Sequence, residues 1–183
     1  MKENTFEQTE EINMAVSKKI IRVVFTGLLF AAAIVLSIAE NSLQIPVLAP
    51  GVKLGLANVM VMYALFFLGK RYALLLAALK AVFALITRGA VAGILSLCGG
   101  LASILVMALL LAFFGERMSY LIVSIFGAIS HNLGQLAAVS VIYTGLVALV
   151  HLPVLLVAGV VTGAATAVLL KFLIPAVNRL GLK

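Results

Sequence analysis

After a polar opening, the chain alternates long apolar runs with short polar breaks. The opening, with Glu3, Glu7, Glu10 and Glu11, reads as a disordered or interfacial tail over residues 1–17. Lys18, Lys19 and Arg22 then precede the first apolar run, Val23 to Ala39. Further runs are predicted over about 54–69, ended by Gly69-Lys70-Arg71, and about 72–87, ended by Thr87-Arg88-Gly89. A fourth covers about 92–114 and ends at Gly115-Glu116-Arg117. The fifth, about 119–149, exceeds one simple span unless it tilts or finishes in a re-entrant turn, and Pro153 opens a sixth that reaches about 176. The pattern predicts an all-α membrane protein in which residues 18–183 form a single domain, a bundle of six transmembrane helices.

Between the first two runs stands "ENSLQIPVLAPGVKLGLANV", residues 40–59. Pro46 and Pro50 exclude helix there, and Gly51 lets the chain turn back sharply. Irregular backbone near membrane depth is tolerated only where it is buried in protein or lines a polar cavity. The segment is therefore expected to form the lid or wall of a site.

Composition supports a bilayer setting. Of 183 residues, 64% are hydrophobic and 10% charged, against about 25% charged in a soluble domain. Six spans and their turns leave no room for a separate soluble domain. The run Val23–Ala39 ends in Ser37-Ile38-Ala39, which satisfies a signal-peptide cleavage pattern, but the run outlasts the usual core of about 7–15 residues and reads as a span. The single Cys98 allows no intrachain disulfide and reads as a packing residue.

A net charge of +7 raises the question of nucleic acid, but the cations are thin, lie at span ends and are not interleaved with stacking aromatics. They serve topology instead. Six spans with the N-terminus inside put Lys2, Lys18, Lys19, Arg22, Lys70, Arg71, Arg117, Lys171, Arg179 and Lys183 on the cytoplasmic side, with Lys53 and Arg88 outside and Lys80 within a span. This bias predicts a multi-pass protein of the cell membrane with both termini cytoplasmic.

Polar residues inside the apolar runs are the candidates for chemistry. Lys80 falls mid-span, where an ammonium is costly unless it faces the bundle interior. Arg88, eight residues on, lies about 80° around the helix, so both can face one outward-opening region. Lys80 could equally snorkel or pair structurally with Glu40. In "SHNLGQ" the side chains of His131, Asn132 and Gln135 project in neighbouring directions and need partners inside the bundle, either other helices or a ligand. His151, beside Pro153, reads as an interfacial residue.

A pocket is predicted around Glu40, Asn41, Lys53, Asn58, Arg88, Asn132 and Gln135, with Lys80 beneath and His131 beside it. Its Glu40, Lys53, Lys80 and Arg88 would sum to two positive charges and favour a carboxylate or phosphate ligand.

Other chemistries find no residues. The chain contains no Asp and no clustered carboxylates to hold magnesium for prenyl or phosphoryl transfer. It has no GxxxxGK[ST], CxxC or HExxH motif and no Ser-His-Asp set, so neither catalysis nor a bound cofactor or metal is expected. Small residues form ridges on the sixth run (Gly159, Gly163, Ala167) and on the first (Gly27 and Ala31, Ala33 and Ser37). Such spacing brings helices close. Packing within the chain accounts for the sixth ridge, whereas the first suits a partner protein equally well.

In order, "PGVKLGLANV", the short inner "GKRY" and a cationic third span ending in "TRGAVAG" resemble the membrane-embedded substrate-binding subunits, the S-components, of energy-coupling-factor (ECF) vitamin transporters. "PGVKLGLAN", "SLCGGLASILVM" and "HNLGQ" more closely resemble the Gx transporter family, whose members are often labelled heptaprenyl diphosphate synthase component I. The similarity covers about residues 20–176. It implies the six-helix S-component fold, with a ligand pocket near the outer face walled by the first outer loop and spans four to six. A cationic pocket there would suit a small anionic, vitamin-like compound, an isoprenoid or quinone precursor, or a flavin-like compound. The resemblance also implies a transmembrane coupling protein and ATPase subunits as partners. S-components commonly dock through an alanine-x-x-x-alanine pattern on the first span, for which Gly27/Ala31 and Ala33/Ser37 stand in here. The synthase label conflicts with the lack of Asp, since prenyl diphosphate synthases share aspartate-rich motifs. An accessory, non-catalytic synthase subunit is the alternative expectation.

Overall fold

The computed structural model describes residues 2–42, 55–142 and 145–179. They form six helices: α1 (Lys2–Ser42), α2 (Asn58–Tyr63), α3 (Lys70–Arg88), α4 (Ala90–Phe114), α5 (Tyr120–Ile142) and α6 (Gly145–Arg179). A π-helical turn, Ala64–Leu68, extends α2, and a 3-10 turn, Gly115–Arg117, follows α4. Four segments are long and apolar enough to cross a membrane: Lys19–Glu40, Ala90–Phe114, Tyr120–Ile142 and Leu152–Pro175. The helix count meets the expectation of six, but the helices differ in what they can span.

The residues expected to form a tail continue α1 as helix. No Gly or Pro precedes Gly27, so nothing in the sequence stops the helix. Within the span, Phe25, Leu29 and Ala33 form one buried stripe, while Val24, Leu28, Val35 and Ile38 are exposed.

The second run departs most from expectation. Gly55 takes a positive φ of 72°, and α2 starts only at Asn58, whose N–H donates to the Gly55 carbonyl at 2.8 Å. From there to Leu68 the helical segment is about 16 Å long, half of the roughly 30 Å hydrocarbon core. Every residue from Val59 to Leu65 is buried, as befits a helix apolar on all sides. The ring of Tyr63 meets Phe25 edge-on at 5.8 Å and stacks on Phe67 at 4.6 Å.

Gly69, with φ 103°, accepts the chain from the π turn, its N–H donating to Ala64 at 2.8 Å, and α3 sets off antiparallel to α2. Ala73, Leu76, Ala77, Ala81 and Ala84 are the buried stripe of α3, and Lys80 falls on the same face by its spacing.

Helices α3 to α6 each pack on the next, and α1 packs on α2, the π turn and α3. Glycines set the distances. A Cβ on Gly134 would lie 2.8 Å from the Cys98 carbonyl, and one on Gly163 would lie 2.5 Å from the Ile125 Cα, so the α4–α5 and α5–α6 seams run backbone against backbone. The small ridge of the sixth run is thus used for packing inside the chain.

In the fifth run, α5 covers Tyr120–Ile142 and α6 covers the stretch from Gly145 on. Pro153 lies inside α6 instead of opening it, although the apolar span does begin beside it, at Leu152. Proline removes one helical N–H, which a membrane helix tolerates where packed neighbours re-satisfy the freed groups.

Candidate functional site

A cavity of about 250 Å3 opens among α1, α2, α3, α4, α5 and α6. Its wall includes Glu40, Asn58, Lys80, Arg88, His131, Asn132 and Gln135, seven of the nine residues singled out for binding, with an apolar side of Ala57, Ala92, Leu95, Ala128 and Leu155. Lys53, Pro46, Pro50 and Gly51 lie outside the described residues, as do the side chains of Asn41 and His151.

The polar groups hold one another in place. Glu40, near the end of α1, accepts a hydrogen bond from the Gly55 N–H and so ties that helix end to the start of the α2 segment. Lys80 Nζ donates to Asn58 Oδ1 at 2.5 Å, which fixes the first residue of α2 against the middle of α3. Arg88 is exposed in the last turn of α3, where a cation also complements the helix dipole. Glu40, Lys80 and Arg88 carry formal charges that sum to one positive, against the two expected with Lys53.

The "SHNLGQ" cluster sorts into separate roles. Ser130 Oγ donates to Phe126 in its own helix at 2.7 Å. Asn132 is buried, and its amide donates to the Leu155 carbonyl of α6 at 2.9 Å, so it joins two helices while bordering the cavity. The Gln135 amide nitrogen lies 3.0 Å from His131 Nε2, which accepts its hydrogen. Nδ1 of the same ring is buried and lacks a hydrogen-bond partner among the described residues. Gly99 of α4 makes room for this pair: a Cβ there would come within 2.8 Å of both Gln135 Cγ and His131 Cε1.

Three hydroxyl residues on the wall were not among the expected binding residues: Ser37, Ser96 and Thr162. Ser37 was assigned to partner docking, and the structure divides that set. Ala33 is buried at 1% exposure and Ser37 borders the cavity, while Gly27 and Ala31 stand exposed on the outer side of α1. Ser96 opens the "SLCGG" stretch, and Thr162 directly precedes Gly163 of the small-residue ridge.

Other cations line grooves away from the cavity. Lys19, Arg22, Lys70 and Arg71 line one groove with Gly69, and Lys171 lines a second with Gly115 and Tyr120. Leu65, Phe66 and Phe67 line the second groove and Leu68 the first.

The chain is therefore a multi-pass, all-helical membrane protein with a polar cavity held among its helices. Residues 29–173, well over half its length, match the family described as heptaprenyl diphosphate synthase component I, and the chain belongs to that family. No curated protein and no solved structure matches it.

Proposed function

We propose that the protein is the substrate-capturing membrane subunit of an ECF-type importer and performs no catalysis of its own. It takes a small anionic compound, vitamin-like or an isoprenoid or quinone precursor, into the cavity from the face opposite the basic end. One observation carries this reading: charged, amide and imidazole side chains from α1, α2, α3 and α5 converge on a single cavity in which cations outnumber the one carboxylate. Fixed donors in a partly dry site recognise carboxylate or phosphate groups through charge-assisted hydrogen bonds. The positive-inside rule places the Lys19–Arg71 end in the cytoplasm and the cavity toward the outside. The sequence supplies no nucleotide-binding loop and no proton-relay carboxylate within its spans, so uptake against a gradient is assigned to a partner, by resemblance a coupling protein with ATPase subunits.

Native mass spectrometry of the gently purified chain should reveal a retained small anion. Arg88→Ala should weaken its binding by about 1–3 kcal/mol, the worth of one charge-assisted hydrogen bond. Unchanged affinity in that variant would remove the cationic-pocket reading. The family's description favours a second reading, a non-catalytic accessory subunit of a polyprenyl diphosphate synthase. Assaying the chain with prenyl substrates and magnesium, with and without a soluble synthase, separates the two, because only the accessory role predicts stimulation.

A further inference from the structure

We propose that the groove between α1 and the α2–α3 turn is a binding site for the phosphate headgroup of an anionic phospholipid, separate from the substrate cavity. The groove has a volume of about 560 Å3 and is lined by Lys19 and Arg22 from α1 and by Gly69, Lys70, Arg71 and Tyr72 from the turn and first residues of α3. All four cations are exposed, and no carboxylate lines the groove among the described residues. None of the four side chains makes a hydrogen bond or ion pair among those residues. Two elements far apart in sequence thus hold four like charges around one hollow, an arrangement that is repulsive until an anion enters.

The position favours lipid over other anions. The span of α1 begins at Lys19, so the groove lies where the hydrocarbon core gives way to headgroups. Next to these cations, Ile20, Ile21, Val23 and Val24 on α1 and Leu74 and Leu75 on α3 are exposed apolar side chains, suited to acyl chains running down from a seated headgroup. Basic pockets between helices at this depth take anionic headgroups, each nearby cation being worth about a fivefold change in binding. Guanidinium groups from Arg22 and Arg71 can each meet two phosphate oxygens in parallel, which selects phosphate over a diffuse negative surface.

The test uses the full-length chain in mild detergent, titrated with phosphatidylglycerol or phosphatidylcholine of the same acyl composition and read by native mass spectrometry. The parent should retain phosphatidylglycerol in preference. Arg22→Gln and Lys70→Gln should each reduce that preference about fivefold, and Lys70→Gln with Arg71→Gln about twenty-fivefold. Lys171→Gln, at the neighbouring groove, should leave it unchanged, and a parent-like unfolding midpoint in the same detergent certifies that each variant is folded. Equal retention of the two lipids by the parent, or an undiminished preference in the folded double variant, overturns the proposal. So does displacement of the lipid by inorganic phosphate or by an acidic peptide at equal concentration, which would assign the groove to a soluble anion or to a protein partner.

Discussion

Gly163→Ala adds one methyl group where α5 and α6 already touch. Its Cβ would stand 2.5 Å from the Ile125 Cα, 2.9 Å from the Ile125 nitrogen and 3.0 Å from the Ser124 carbonyl oxygen. All three are backbone atoms, so no rotamer change relieves the contact. Carbon atoms rest about 3.5–4.0 Å apart, and the helices must therefore part by about 1 Å. That movement also strains the bond from Ser124 Oγ to the Gly163 carbonyl, now 2.6 Å long, which is worth about 1 kcal/mol. Overpacking of this kind costs about 1–3 kcal/mol, while alanine's better helix propensity returns at most about 1 kcal/mol. The expected net loss is about 1–3 kcal/mol, read as a lower midpoint in detergent unfolding. Gly27→Ala is the control: nothing lies within 4 Å of its added Cβ, and stability should hold or rise. A Gly163→Ala variant as stable as the parent, within about 0.5 kcal/mol, would refute the close backbone seam as the role of this residue.

Ala31→Leu, on the exposed side of α1, should abolish ATP-dependent uptake in a reconstituted complex and spare ligand affinity, whereas Ala33→Leu, at a buried position, should lower stability by about 1–3 kcal/mol instead. Concentrative uptake by the isolated chain in liposomes without ATPase subunits would defeat the partner argument behind the first variant. A cysteine at Lys70, in a Cys98→Ser background, should resist membrane-impermeant thiol reagents on intact cells; labelling from outside would reverse the proposed orientation.

Helix ends were readable because glycine and charge coincide there: Gly69, Gly89 and Gly115, each read as a terminator, all adopt positive φ. The convergence of Glu40, Lys80, His131 and Gln135 was readable for a related reason, since a polar group in an apolar helix is costly unless it faces inward. The length of α2 was not. Hydropathy counts apolar residues and cannot register that Gly55 turns left-handed, so that the helix starts late and is enclosed on every side. Ser96 and Thr162 escaped notice because a hydroxyl can bond a carbonyl of its own helix, as Thr162 does to Gly159 at 3.2 Å, and so signals no need for a partner.

The short α2 begins at the cavity. From the turn at Gly69, α2 and its π turn run back only as far as Asn58, which meets Lys80 about halfway along α3. Beyond that level α3 continues to Arg88, a further 12 Å or so at 1.5 Å per residue, and α1 reaches Glu40 beside it. The cavity lies at and beyond this level, with Asn58, Lys80, Glu40 and Arg88 all on its wall. An apolar residue in place of Asn58 would leave the Lys80 ammonium without this amide acceptor. Ending the helix at a polar residue instead gives the ammonium an amide acceptor. The feature that weakens the second run as a membrane span is thus the one that borders the cavity.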